Sequence, residues 1–323
     1  MKEFEYVRPA TLAAAARAVR EGAGTPIAGG TDLLGMMKSE LIAPARLVDL
    51  AGLPELGGWR TLRGGIRLGA GLTLAEIVAS DGLAAHAPIL RESLRHAASP
   101  QLRNAGTLGG NLLQQNRCWY FRDEAVPCWH KGGTECFAQA GDSRFHAILG
   151  VVTCMMVAPS DLAPALIALD AVAELRSTYG TRRMPVRDLY QPPQEPARTE
   201  LAAYPGEILV AVHIGRAALR RRGAFEKQMR RKEWSFATVS VAAAARVTRG
   251  RLRDARIVAG GLAAMPWQVS AAERALDGRV PDDTACREAA DLLLEGARTT
   301  RDNVYKVQLT RELVRRALQS LVA

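Results

Sequence analysis

The stretch Gly106-Thr107-Leu108-Gly109-Gly110-Asn111 leads into a segment holding Cys118, Cys128, Cys136 and Cys154, four of the five cysteines in a chain of 323 residues. Glycines let backbone N–H groups approach an anion closely, and thiolates are soft metal ligands. A phosphate-suited turn set directly ahead of four thiols points to an electron-carrying protein with two redox centres.

A second glycine pair lies upstream, in Ile27-Ala28-Gly29-Gly30-Thr31-Asp32-Leu33. It falls between a predicted strand at 25–28 and a predicted helix at 33–41, where a strand hands over to a helix start. Thr31 adds a hydroxyl donor. Asp32 carries the wrong charge for direct phosphate contact and is expected to cap the helix. Either glycine pair alone reads equally well as a simple turn. Two of them from separate modules suit the two ends of a pyrophosphate, with Thr107, Gly109, Gly110 and Asn111 repeating the chemistry of the first turn. Neither is the G-x-G-x-x-G fingerprint, so a dinucleotide-binding Rossmann unit is not expected.

The cysteines are spaced C-x9-C-x7-C-x17-C. Structural zinc normally takes closely paired knuckles, which are missing here. Irregularly spaced thiolates suit a [4Fe–4S] cluster better, since its four irons take one cysteine each. Zinc, or four plain thiols in an aromatic loop, remain the alternatives. Trp119, Tyr120, Phe121, Trp129 and Phe137 would keep water from a cluster, and Arg117, Arg122, His130 and Lys131 would offset its charge. With four cysteines present, His130 and His146 read as bystanders. Cys154 is the weakest ligand, because it falls in a predicted strand at 153–157. Cys286 sits in a helical pattern with Ala289, Ala290 and Leu293 and reads as a buried small hydrophobe.

A chain of this length exceeds one ordinary core, so two or three subdomains are expected. A hydrophobic fraction of 48% and a charged fraction of 24% are globular values. The net charge of +10 is spread out, with short runs only at 220–222 and 230–232. No nucleic-acid motif accompanies it, so a solvated surface, an acidic partner subunit or a phosphate-bearing cofactor explains it better than nucleic acid. No apolar run spans a bilayer and the N-terminus lacks a secretory pattern, so membrane insertion is not expected. The expected place of folding is the cytoplasm, with export as a folded complex beside a signal-bearing partner left open. Helix 11–20 is expected to stop at Gly22 and Gly24, before strands at 25–28 and 46–50. Strands at 66–68, 171–176 and 207–214 and helices at 73–79, 89–97 and 160–169 follow. From about 220, strands at 238–247 and 254–259 and helices at 270–276, 284–294 and 310–321 read as a small α+β domain.

Three segments carry a family resemblance: Ala28 to Leu33, Thr107 to Leu112, and Pro159-Ser160-Asp161-Leu162-Ala163-Pro164-Ala165-Leu166. With Gly206-Glu207-Ile208-Leu209 and Tyr305-Lys306-Val307, the chain resembles the FAD-binding subunit of the molybdenum hydroxylases, the xanthine and carbon monoxide dehydrogenase family. The cysteine loop makes it similar to the branch with an extra [4Fe–4S] cluster, and Arg117 to Asp123 with Pro127-Cys128 look closest to the aldehyde oxidoreductase subunit. The resemblance implies an α+β, PCMH-type FAD-binding fold. Its parts would be subdomain 1 at 1–57, subdomain 2 at 58–216 with the cluster loop at 115–154, and a C-terminal α+β domain at 217–323. It implies that Ile27, Ala28, Gly29, Gly30, Thr31, Asp32, Leu33, Thr107, Gly109, Gly110 and Asn111 surround the FAD pyrophosphate. Asp161 would hold cofactor hydroxyls, Leu209 would pack on the cofactor, and Lys227 would lie near the isoalloxazine; a helix-start charge, a strand core residue and a solvated charge are the plainer readings. It implies a large molybdopterin-binding subunit and a small [2Fe–2S] subunit as partners, and an external electron acceptor.

Overall fold

The computed structural model describes residues 1–21, 23–202, 206–231 and 234–323. Gly22, expected to end the first helix, lies outside them. The first module is a parallel three-stranded sheet of β1 (Glu5–Val7), β2 (Thr25–Ile27) and β3 (Arg46–Asp49), in the order β1-β3-β2. Parallel strands need crossovers, supplied by α1 (Leu12–Arg20) and α2 (Leu33–Lys38). Thr11 caps α1 by accepting from Ala14 N–H, and Ala15, Ala16 and Val19 bury its inner stripe. A Cβ on Gly24 would meet Val48 Cγ2 at 2.5 Å, which is why the return into β2 takes glycine.

The second module is antiparallel: β4 (Trp59–Leu62), β5 (Gly65–Gly69), β6 (Val172–Ser177), β7 (Gly180–Pro185) and β8 (Ile208–Gly215), in the order β4-β5-β8-β6-β7. Between β5 and β6 the chain runs through short helices: α3 (Leu74–Ala79), α4 (Asp81–His86), α5 (Pro88–Arg95), α6 (Pro100–Ala105), α7 (Leu108–Leu112), α8 (Trp119–Arg122) and α9 (Leu162–Ala168). The edge strands β4 and β7 escape a sequence reading because edges carry polar side chains. β7 is Gly-Thr-Arg-Arg-Met-Pro. The expected strand at 153–157 is absent. Its backbone makes single bonds instead, Ala147 N–H to Met155 O and Ala158 N–H to Ala263 O, so Cys154 belongs to the loop after all.

The third sheet is β9 (Arg222–Met229), β10 (Ala237–Thr248), β11 (Arg251–Gly260) and β12 (Trp267–Gln268), antiparallel in the order β12-β11-β10-β9. Helices α10 (Ser270–Arg274), α11 (Asp283–Leu293) and α12 (Tyr305–Ser320) follow. Strand β10 is apolar without alternation because both faces are covered. Ala242 and Ala244 join the main core, while Val241, Ala243 and Ala245 join the core under α11 and α12. Cys286 is buried in that second core, as its helical pattern predicts.

Helix α12 begins five residues earlier than the apolar stripe at 310–321 suggests. The extra turn carries Lys306, whose side chain is fully buried and donates to Phe145 O (2.9 Å), His146 O (2.9 Å) and Gly261 O (2.7 Å). Tyr305 donates to Arg144 O and Asn303 to Ser143 O, so this corner grips the far end of the cysteine segment. Burial pulls Lys306 down to about 7. An unfolded lysine titrates near 10.4. Between those values the unfolded chain holds a proton that the folded chain has released, so stability rises with pH, by up to roughly 1.4 kcal/mol per pH unit. Below pH 7 the cost of burying the ammonium is complete. The stability difference between wild type and Lys306→Met, from urea unfolding, should therefore shift in favour of the wild type from pH 7 to 10. A difference that stays flat would mean the three carbonyls hold the ammonium charged.

Candidate functional site

Ile27 and Leu33 flank the first glycine turn and anchor it in a small core with Met37 and Leu47. Between them the chain bends sharply at Gly30, with φ +67°. The N–H groups of Gly29, Gly30, Thr31 and Asp32 have no acceptor among the described residues. Four adjacent free donors at a strand-to-helix turn form a concave anion-binding surface. Gly29 is also where the two turns meet. A Cβ there would lie 1.8 Å from Ala105 O and 3.1 Å from Gly106 N, and one on Gly106 would lie 3.6 Å from Thr31 Oγ1.

The second turn is not a copy of the first, as its glycine pair suggests. Thr107 caps α7, and its Oγ1 accepts from Gly110 N–H at 3.1 Å. Leu108 N–H goes to Leu72 O (2.7 Å), Gly109 N–H to Ala70 O (2.8 Å) and Asn111 N–H to Thr107 O (2.8 Å). These donors are spent within the protein. What remains is the Thr107 hydroxyl proton, the Asn111 side-chain amide and the exposed, Cβ-free face of Gly110. Asn111 Oδ1 accepts from Ser160 Oγ (2.6 Å), which in turn caps α9 by accepting from Ala163 N–H (3.0 Å).

Asp161 is buried, and Lys227 Nζ meets its Oδ2 at 2.6 Å while also donating to His96 O at 3.1 Å. Burial pushes the Asp161 carboxyl up and the Lys227 cation pulls it back down. Lys227, with a side chain only 4% exposed, is therefore not a solvated charge; it fastens β9 to α9 and to the residue after α5. Leu209 lies in β8, its side chain in the main core. Its strand is tied to the second turn through backbone: the next residue's carbonyl, Val210 O, accepts from Ala70 N–H, and Ala70 O holds Gly109.

Asp32 does not cap α2. Its Oδ2 accepts from Gln115 N–H (2.8 Å), and its Oδ1 meets Arg122 Nη2 (2.8 Å) and Arg117 Nη2 (3.0 Å). Sequence separation hid these contacts. The two arginines share this one carboxylate, so Asp32 offsets only one of their two positive charges.

The four cysteines are electrostatic neighbours within the loop. Cys118 precedes α8 and Cys128 precedes a single helical turn at Trp129–Lys131. Cys128 packs with Met36 and Phe121, and Cys118 borders the same apolar cluster. Cys118 has Cys128 and Cys136 as electrostatic neighbours, and burial pushes its thiol up to about 11. Cys154 donates its S–H to Cys136, which holds the Cys136 thiol down at about 6 and drives Cys154 up. His146 Nε2 lies 3.2 Å from Cys118 Sγ, so His146 is a partner of the cysteine set and not a bystander. Burial pulls it down to about 4. His130 is held below its ordinary range by burial, against the pull of Glu200, which disfavours the positive charge expected of it. Trp119 packs edge-on to His146 and Tyr120 stacks on Phe137, giving the expected aromatic cover. Arg198 donates to Trp129 O and Gly133 O, and Glu200 accepts from Asn116, strapping the loop from outside. Among the described residues no three His, Cys, Asp or Glu side chains gather as ligands of a single metal ion.

Residues 2–216 match the family model of the FAD binding domain in molybdopterin dehydrogenase, and 224–321 that of the CO dehydrogenase flavoprotein C-terminal domain. The aldehyde oxidoreductase FAD-binding subunit PaoB of Escherichia coli is 36% identical over 100% of this chain and 98% of its own. The carbon monoxide dehydrogenase medium chain of Afipia carboxidovorans is 29% identical over 98% and 96%. Among solved structures, reconstituted CO dehydrogenase from Oligotropha carboxidovorans superposes with a TM-score of 0.79 at 26% identity, covering 99% of each chain. The free amides of the first turn thus sit in a fold built for FAD, and the chain belongs to the family of FAD-binding medium subunits of the molybdenum hydroxylases, as an oxidoreductase subunit.

Proposed function

We propose that this chain is the electron-transfer subunit of an aldehyde-oxidising molybdenum hydroxylase, carrying FAD and a [4Fe–4S] cluster. The observation that carries the FAD site is the row of four N–H groups at 29–32 that find no acceptor among the described residues, pressed against the second glycine turn. Those donors would hold the diphosphate, with the Thr107 hydroxyl and Asn111 amide of the second turn available to the same cofactor. Lys227, locked on Asp161, keeps the C-terminal sheet closed over the cofactor side of α9. The chemistry FAD supplies when bound is reversible one- and two-electron transfer. The protein's share is to orient the cofactor and keep water away. Residues 1–57, 58–216 and 217–323 act as the three units of this arrangement.

Cys118, Cys128, Cys136 and Cys154 are the cluster ligands in this reading, supported by their mutual proximity and their aromatic cover. Likeness to an aldehyde oxidoreductase subunit over the full length supports the substrate class of the assembly. The partners are a large molybdopterin-binding subunit, where the substrate is oxidised, and a small [2Fe–2S] subunit; electrons leave through this chain to an external acceptor. No helix among the described residues is long and apolar enough to cross a membrane. We place the folding of the chain in the cytoplasm.

Two glycine substitutions separate architecture from binding. Gly29→Ala drives a methyl into Ala105 O and should lower stability by about 1–3 kcal/mol or more, with loss of flavin. Gly110→Val meets only Thr107 Oγ1, at 3.1 Å, on an exposed face. It should keep the melting temperature and lose FAD absorbance; undiminished flavin would remove the second turn from the site. Cys128→Ser should lose iron while most FAD stays, by iron assay on anaerobically purified protein. Equal iron in variant and parent would refute that ligand.

A further inference from the structure

The first turn presents a contradiction. An aspartate occupies the fourth of its anion-binding positions, where a bare carboxylate would repel a diphosphate. In this structure the carboxylate is not bare. Both oxygens are taken by residues 115–122: Gln115 N–H on Oδ2, and Arg122 and Arg117 on Oδ1, at 2.8, 2.8 and 3.0 Å. The Asp32 side chain is 14% exposed. Arg122 is itself fixed, by bonds from Nε to Asn116 O (2.8 Å) and from Nη2 to Gln115 O (3.0 Å).

A second contact joins the same elements. Helix α2 starts at the glycine turn and buries Met36 against Phe121 and Cys128. Thus one short helix has the anion-binding turn at its head and the cysteine loop along its side.

We propose that Arg122 and Arg117 are positioning residues for the flavin, acting through Asp32: by neutralising and turning away that carboxylate, the folded cysteine loop makes the glycine turn able to accept a diphosphate. The inference rests on the reading that residues 29–32 hold the FAD diphosphate. Neither arginine touches the cofactor in this arrangement. An unfolded loop would return a full negative charge to the turn, so cofactor binding and loop folding favour each other, and by the same factor in both directions.

The test is FAD affinity of the full-length apo-chain, titrated by flavin fluorescence at low and high salt. Arg122→Met should weaken binding about threefold to fivefold, the upper part of the range for an exposed charge interaction. The deficit should shrink at high salt, since it is a repulsion across solvent-accessible space. Asp32→Asn added to Arg122→Met should restore affinity to within about twofold of wild type, because the carboxylate that needed neutralising is gone. A merely structural arginine would give a salt-independent loss that the second substitution deepens. Unchanged affinity in Arg122→Met, or no rescue in the double variant, overturns the proposal. If Arg122→Met does not fold, Arg117→Met removes the other cation from the same oxygen and carries the same test. Gly110→Val is titrated alongside: if it too leaves affinity unchanged, the two-turn reading of the FAD site fails, whereas loss in Gly110→Val with none in Arg122→Met sinks only the role of the arginines.

Discussion

The missing Cβ of Gly29 is the constraint on which the site depends. With Ala105 O where a methyl would stand, the parallel module and the helical run of the second module touch backbone to backbone. That contact sets four free amides of one turn beside the hydroxyl, amide and bare glycine face of the other. The two turns do different work. The first keeps its donors open, while the second spends its own on Ala70, Leu72 and Thr107 and so holds a fixed shape. A preorganised wall facing an unsatisfied one costs little reorganisation on binding.

The cysteine loop is held by a different principle. Its own apolar cluster is small, centred on Met36, Phe121 and Cys128. A long irregular segment must still satisfy its backbone polar groups. Here buried and half-buried charged side chains from distant parts of the chain do that. Asp32 takes Gln115 N–H, Glu200 takes Asn116 N–H, Arg198 takes two carbonyls near Cys128, and Lys306 takes three near His146 and Gly261. The clamps come from the first module, from the segment at 198–200 and from the C-terminal domain, so all three parts of the chain hold the loop in place. The Lys227–Asp161 pair adds the last closure, tying β9 to the start of α9.

Much of this was legible in the residues themselves. Both glycine turns, the α+β class, the helix–strand alternation of the first module and the central strands follow from local rules: glycine where the backbone must bend or touch, apolar period for helix or strand, and Ser160 at a helix start. The cysteine set stood out because four thiols in one segment are unusual. Reading failed where a residue's role depends on partners remote in sequence. Asp32 looks like a helix cap and is a tether; His146 looks idle and faces Cys118; Lys227 looks solvated and is buried on Asp161. Strands β4 and β7 were invisible because edge position, not composition, made them strands.

The chain by itself determined where the backbone turns, which segments bury an apolar face and which thiols are near in sequence, since these are set by neighbours a few residues apart. Only the tertiary structure decided which amides stay unpaired and which charges are neutralised. Hydrogen bonds and ion pairs at 2.6–3.4 Å between residues such as Asp32 and Gln115 or Lys306 and His146 exist only once the chain has brought them together.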